Sequence, residues 1–320
     1  MAETLLSVES VKTYFYTTRG IVKAVDDVSF SLNKGESLGI AGESGCGKST
    51  LAYTLIRLVP PPGRIVGGRI IFRGRDILKL SDEDFRREIR WKGISMIFQG
   101  AMNALNPVYT IGDQIAEVFV LHRNYTRKEG LEEAKKLLKM VGIDPSRVKS
   151  YPHELSGGMK QRVLIAMALA LNPDVLIADE PTTALDVVVQ AQIMNLIKRL
   201  KKELNLSIIL ISHDLSLIAE IADKVAIMYA GEFVEYAPSE LLYGKPAHPY
   251  TQGLLGSIPR LRGEITDLTR IPGLPPDLIN PPQGCRFKPR CKYASPKCNE
   301  KPPYIEIDKD HWVRCWLYIG

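Results

Sequence analysis

The sequence has no apolar run approaching the ~20 residues that a membrane-spanning helix needs. Its first residues, Met1-Ala2-Glu3-Thr4, carry neither the basic nor the apolar region of a secretory signal. The expectation is a protein that stays in the cytoplasm. A large net charge is also missing: the chain of 320 residues carries +6, and +4 of this sits in residues 281–320, where eight Lys/Arg face four Asp/Glu. Such an excess suits nucleic acid, a lipid surface or a local anion, and charge alone does not choose among them. There is no Cys-x-x-Cys pair, the knuckle common in structural zinc sites. The length suits one large α/β domain with an appendage, or two domains, and the 45% hydrophobic content is ordinary for a globular chain.

What the sequence does contain is organised around Gly42-Glu43-Ser44-Gly45-Cys46-Gly47-Lys48-Ser49-Thr50, which follows the apolar run 38–41 and precedes a helix-compatible stretch. The spacing fits the P-loop pattern. Bare glycines let backbone N–H groups wrap a polyphosphate, and the helix N-terminus adds its positive dipole end. Lys48 would reach the β- and γ-phosphates, and the Ser49 hydroxyl would ligate Mg²⁺. The plainer reading, a glycine-rich turn between strand and helix, leaves the lysine and the hydroxyl unexplained.

Upstream, 5–32 reads as a small antiparallel sheet in which Val28, Phe30 and Leu32 alternate with polar residues. Downstream, 69–73 and 93–98 look like further strands separated by a polar helix that Ser81 caps, and Gln99 directly follows the second strand. From 110 to 142 the period turns helical, with a Thr126/Glu129 capping box and a stop at Gly142. This block reads as an inserted helical subdomain over about 100–160. It ends at Leu155-Ser156-Gly157-Gly158-Met159-Lys160-Gln161, where Ser156 occupies an N-cap position and two glycines expose the first backbone amides of a buried helix.

The apolar run 175–178 ends in Asp179-Glu180, followed by a turn through Asp186. Adjacent acids repel and lose hydration at a buried strand end unless a cation or a reaction uses them. A further apolar strand, 207–212, ends at His213. Each feature alone has an ordinary explanation. Together, Gly42, Gln99, Asp179 and His213 each fall at the carboxyl end of a separate expected strand, the edge where open α/β sheets bind ligands.

Beyond residue 243 the composition changes. Residues 244–303 hold twelve of the 21 prolines and show no helical period, so the segment needs another source of order. Four of the five cysteines lie here: Cys285, Cys291, Cys298 and Cys315. A reducing compartment disfavours disulfides, and four thiolates then suggest a metal. Gaps of five, six and sixteen residues lower zinc without excluding it. A 4Fe-4S cluster accepts varied spacing, with Arg286, Lys288, Arg290 and Lys292 near enough in sequence to offset its charge.

In this order of motifs the chain resembles the ATP-binding subunit of an ABC transporter. Residues 42–49 look like the Walker A loop, Gln99 the Q-loop glutamine, 155–161 the signature motif, 175–180 the Walker B strand, Asp186 part of the D-loop and His213 the switch histidine. The resemblance implies a P-loop ATPase with an N-terminal antiparallel β subdomain, an ATPase domain over 1–243 and an extension over 244–320. It implies ATP sandwiched between two such subunits, so that Leu155, Ser156, Gly157, Gly158, Met159 and Gln161 would serve the partner's nucleotide. Glu180 would act as general base, His213 would orient the γ-phosphate, and Ser49, Gln99 and Asp179 would hold Mg²⁺. Phe15 fits the adenine-stacking position by spacing, beside Tyr14 and Tyr16. Cys46 departs from the serine common at its position.

The tail, with His248-Pro249-Tyr250-Thr251 and its proline-rich run at 271–276, is similar to the C-terminal extension of dipeptide and oligopeptide importer ATPases, a form shared by nickel importers. That family implies a second related ATPase in a heterodimer, two permease subunits, an extracytoplasmic peptide-binding protein and a place on the cytoplasmic face of the membrane. Nucleic acid is not among the expected partners. An ABC ATPase acting on ribosomes or DNA is the competing class, but such proteins usually fuse two cassettes or insert a long coiled coil, and this sequence has one signature motif and no such insertion.

Overall fold

Short apolar runs that bury on both faces make the strands that carry the motifs. Val175–Asp179, Ser207–Ile211 and Ile94–Ile97 are buried at every residue. The computed structural model describes residues 3–100, 104–257 and 271–319. The described residues fall into two compact units, one within Met1–Leu5, Leu32–Glu36 and Arg75–Leu210, the other within Leu6–Ser31, Ser37–Gly74 and Ile211–Gly320.

In the first unit, Ser207–Ile211, Val175–Asp179 and Ile94–Ile97 lie side by side in that order. The last two run parallel, with Ile97 opposite Ala178. Continuous apolar runs with no polar alternation are what parallel strands covered on both faces require. The helical block is a hairpin of Ile111–Arg123 and Arg127–Met140. Thr110 caps the first helix by accepting the Asp113 amide at 3.1 Å, and Asn124 ends it in a left-handed conformation. The expected Thr126/Glu129 capping box starts the second, and Gly142, at φ +76°, follows its last turn. The hairpin closes tightly at Gly130, where a Cβ would stand 3.0 Å from Ala116. Ser81 caps a single turn, Asp82–Asp84, that continues as a wider-wound turn over Phe85–Ile89.

In the second unit, Gly20–Asn33, Thr4–Thr17 and Gly63–Phe72 form an antiparallel sheet in that order. The third strand begins six residues earlier than its apolar pattern suggests. Its first half contains Gly67 and Gly68, and the register shifts beside them at Lys12. At Gly68 (φ +91°) a Cβ would stand 2.6 Å from the Ser10 carbonyl, so a bulge with a glycine takes the place of alternation. A second sheet runs Ile305–Asp308, His311–Val313, Glu232–Pro238, Lys224–Tyr229, Ser37–Ala41. Only the last pair is parallel among the pairings described here. The proline-rich extension therefore ends as two strands added to this sheet, with Val313 opposite Glu235.

The extension also contains a helix, Pro249–Gly256, where no helical period was expected. Proline at the first helical position loses no hydrogen bond, and His248 caps the turn by accepting the Tyr250 amide on Nδ1 at 3.0 Å. A side chain outside the usual capping set does the work. Tyr250 then packs edge-on to Tyr229 (4.6 Å between centroids), and Phe287 packs against both. This aromatic cluster gives the extension an apolar core despite its proline-rich composition. No helix among the described residues is long and apolar enough to cross a membrane.

Candidate functional site

The second unit holds the glycine loop. It follows Ser37–Ala41 and feeds the helix Lys48–Leu55. Glycine is required at both ends of the loop. A Cβ on Gly42 (φ +154°) would lie 2.1 Å from the Met228 carbonyl oxygen, and one on Gly47 (φ +110°) 2.0 Å from that of Ala24. Between them Ser44 and Gly45 are exposed, whereas Lys48 is buried and its ammonium donates to the Gly42 and Glu43 carbonyls at 2.7 and 3.0 Å. The loop is thus wrapped about the Lys48 ammonium. Ser49 and Thr50 are half-buried in the first turn. Burial pushes the Cys46 thiol up, against the pull of Lys48, so it is a packed side chain rather than a reactive thiolate.

His213 is exposed, just past the end of Ser207–Ile211, and the Ser212 amide donates to the Ile40 carbonyl at 3.2 Å. It therefore emerges beside the strand that feeds the glycine loop. Of the three candidate aromatics, Phe15 is half-buried opposite Gly63 and Tyr16 is exposed. The Tyr14 hydroxyl donates to Asp26 at 2.7 Å. Burial alone would raise the Asp26 pKa, but this bond and the Arg286 guanidinium outweigh it and hold the carboxyl below the usual range.

The first unit holds the acids. Asp179 is fully buried as the last residue of its strand. Because Ile94–Ile97 runs parallel beside it, Gln99 and Glu180 leave neighbouring strand ends together, and the Gln99 Nε2 donates to Glu180 Oε2 at 3.0 Å. The Thr183 hydroxyl donates to the same oxygen at 3.0 Å. Glu180 has φ +46°, a left-handed conformation that costs an L-residue about 1–2 kcal/mol and at a strand end marks a side chain whose aim is fixed.

Ser156 is the N-cap of Gly157–Leu169 and accepts the Met159 amide at 3.3 Å. Ser156 is exposed and Gly157 and Met159 are half-buried, while Leu155, Gly158 and Gln161 pack inward. A Cβ on Gly158 would stand 2.6 Å from Val189 Cγ1, so the second glycine admits the start of the next helix. Asp186 caps that helix, Val187–Leu204, accepting the Val189 amide at 2.9 Å. Val187 and Val188 after it are 80 % and 67 % exposed, an apolar pair on the surface.

Cys285, Cys291, Cys298 and Cys315 line one cavity of about 110 Å³ in the second unit, together with His248 and Phe287. All are free thiols. Burial pushes Cys285 up to about 12 and Cys315 up to about 11. Among the described residues, no group of three or more His, Cys, Asp or Glu is placed to hold a metal ion. Two of the four basic residues expected to offset a cluster's charge are engaged elsewhere: Arg286 bonds the Asp26 carboxylate and the Ala230 carbonyl, and Arg290 takes Glu43 of the glycine loop in a two-pronged pair. Lys288 donates to the Asn299 side chain, and Lys292 lies over the Tyr293 ring. Asp26, Tyr250, Arg286 and Arg290 were not singled out as site residues from the sequence, because nothing in their spacing ties them to the loop.

Family models match in two places: ABC transporter over residues 25–183, and oligopeptide/dipeptide transporter, C-terminal region, over 234–298. The dipeptide transport ATP-binding protein DppD of Bacillus subtilis is 49% identical over 319 residues, covering 98% of this chain and 95% of its own length. The oligopeptide transport ATP-binding protein OppD of Escherichia coli is 48% identical over 317 residues, covering 98% of this chain and 94% of its own length. Among solved structures, the dimeric post-hydrolysis state of the ATP-binding cassette MJ0796 bound to ADP and phosphate superposes with a TM-score of 0.65 at 27% identity, covering 73% of this chain and 98% of that one.

Proposed function

The chain belongs to the ATP-binding subunits of dipeptide and oligopeptide ABC transporters, and we propose that it couples ATP hydrolysis to the uptake of short peptides through membrane partners. It is an ABC-type ATPase. The observation that carries the peptide assignment is that one chain joins the Gln99–Glu180 pair and the glycine loop to a C-terminal segment matching that of peptide transporters over 234–298.

The residues divide the work. Loop amides and Lys48 bind the β- and γ-phosphates, and Phe15, by its spacing and with Tyr14 and Tyr16 beside it, stacks on adenine. Ser49, Gln99 and Asp179 offer only oxygen donors, the hard set that magnesium takes, and Gln99 keeps its carbonyl oxygen for the ion while its amide meets Glu180. Bound Mg²⁺ would neutralise charge on the phosphates. Glu180, aimed by Gln99 and Thr183, takes the proton of the attacking water, and His213 orients the γ-phosphate.

The Ser156-Gly157 helix start, with Ser156 exposed, serves the nucleotide of a second, related ATPase on the cytoplasmic face of the membrane; two permease subunits in the membrane are the partners of this pair, and an extracytoplasmic peptide-binding protein is an indirect one. Residues 1–243 form the cassette, with its helical subdomain at about 100–160, and 244–320 the extension.

For the cysteines we propose a 4Fe-4S cluster with a structural role. A single zinc ion needs thiolates converging at about 2.3 Å from one point. A four-iron cluster has bulk of its own, so its ligands stand around a cavity, as these four do. Such a cluster would staple the short turns that carry Cys285, Cys291 and Cys298 to Cys315, just past the strand His311–Val313. ATP hydrolysis and peptide uptake by the chain assembled with its permeases in vesicles test the transport reading. Iron and acid-labile sulfide in protein purified without oxygen test the cluster.

A further inference from the structure

The extension reaches both ends of the nucleotide site in its own unit through arginines that adjoin cysteines. Arg290 immediately precedes Cys291 and is 6 % exposed. Its Nη1 and Nη2 donate to the two carboxylate oxygens of Glu43 at 2.6 and 2.9 Å, and its Nε donates to the Pro272 carbonyl at 2.8 Å. The fork is therefore aimed from the extension into the glycine loop. A second bond runs alongside it, from the Glu43 amide to the Tyr250 hydroxyl at 2.9 Å, and Tyr250 is held in the buried aromatic cluster.

Arg286 immediately follows Cys285 and is 8 % exposed. It bonds Asp26 and the Ala230 carbonyl. Asp26 in turn accepts the Tyr14 hydroxyl, one residue before Phe15. The adjoining turn is tied on both sides: the Gly231 amide donates to the Cys46 carbonyl at 2.8 Å, and the Asp26 amide donates to the Gly231 carbonyl at 2.8 Å.

Buried ion pairs add little net stability, because stripping water from both partners offsets their attraction, but a guanidinium fork fixes orientation. Fixing the extension in place would need a carboxylate anywhere on the surface it covers. Here one carboxylate lies inside the phosphate loop and the other anchors the residue beside the adenine position. We propose that the cysteine-bearing extension completes this subunit's half of the nucleotide site, with Arg290 positioning the P-loop through Glu43 and Arg286 positioning the strand at Phe15 through Asp26. Both are positioning residues. The proposal rests on the nucleotide reading of the glycine loop and is independent of what the cysteines hold.

The test is titration of a fluorescent ATP analogue against the full chain, with hydrolysis followed in the assembled complex. Arg290→Ala is expected to weaken binding by about tenfold, the loss of a charge-assisted pair, and to raise KM far more than it lowers kcat. Arg290→Lys, which keeps the charge and loses the fork, should fall between. Arg290→Ala combined with Glu43→Gln should be no worse than the weaker single variant. Unchanged affinity in Arg290→Ala, or losses that add in the double variant, would overturn the P-loop half of the proposal.

Asp26→Asn should weaken ATP analogue binding and spare tripolyphosphate, which has no adenine. Equal loss of both would overturn the Arg286 half. Melting curves identify a variant that fails to fold, in which case Arg290→Lys and Glu43→Gln carry the comparison. Lys48→Ala separates the two readings. If it abolishes binding while Arg290→Ala leaves affinity unchanged, only the proposal falls; if it too changes nothing, the nucleotide reading falls and the proposal with it.

Discussion

The side-chain amide of Gln99 donates to the carboxylate of Glu180 across 3.0 Å, joining the ends of two parallel strands. In the proposed roles Glu180 is the base and Gln99 a ligand-side residue, and this bond links the two. Replacing the base tests this most simply. Glu180→Gln should bind nucleotide as tightly as wild type and lose hydrolysis by at least about 10²-fold, the usual worth of a positioned base. Parallel binding and turnover assays check it.

The glycine loop makes a contrast within a few residues. At Gly47 a Cβ meets the Ala24 carbonyl at 2.0 Å, whereas at Gly45 nothing lies within 4 Å. Gly47→Ala should abolish nucleotide binding and lower the melting temperature. Gly45→Ala carries only the cost of its left-handed backbone, about 1–2 kcal/mol, and should still bind.

Ser156→Ala removes the cap of Gly157–Leu169, worth about 1 kcal/mol. Nucleotide binding by the isolated chain should be unchanged, because the proposed ligand of this helix start belongs to a second subunit. Hydrolysis by the assembled complex should fall. Equal loss in both assays would place the serine in its own chain's site.

Cys291→Ser should lose iron and acid-labile sulfide together and destabilise the extension, as metal content and thermal melting of anaerobically purified protein would report. Zinc in place of iron in the wild-type protein would remove the cluster.

Legibility in the sequence followed how local each signal is. The helix caps at Ser81, Thr126 and Ser156 are contacts over three residues, and the serine and threonine positions announce them, whereas the equally local caps at Thr110 and Asp186 were not read as caps. Gln99, Asp179, Glu180 and His213 were legible as strand-end residues because apolar runs mark where strands stop. What stayed hidden was long-range or atypically capped. The helix Pro249–Gly256 is started by a proline and a histidine rather than by an apolar period. Arg290 and Glu43 are 247 residues apart, and Arg286 and Asp26 are 260 apart. Basic residues beside cysteines read naturally as counter-charge to a cluster, and only packing reveals that two of them spend their charge on carboxylates elsewhere in the unit.

The most direct measurement is ATP-driven uptake of a labelled dipeptide or oligopeptide into vesicles carrying this chain with its permeases and binding protein. Uptake that requires ATP and disappears with Glu180→Gln is the expected result. Uptake that survives Glu180→Gln, or sustained ATP hydrolysis that moves no peptide of either class, would contradict the assignment.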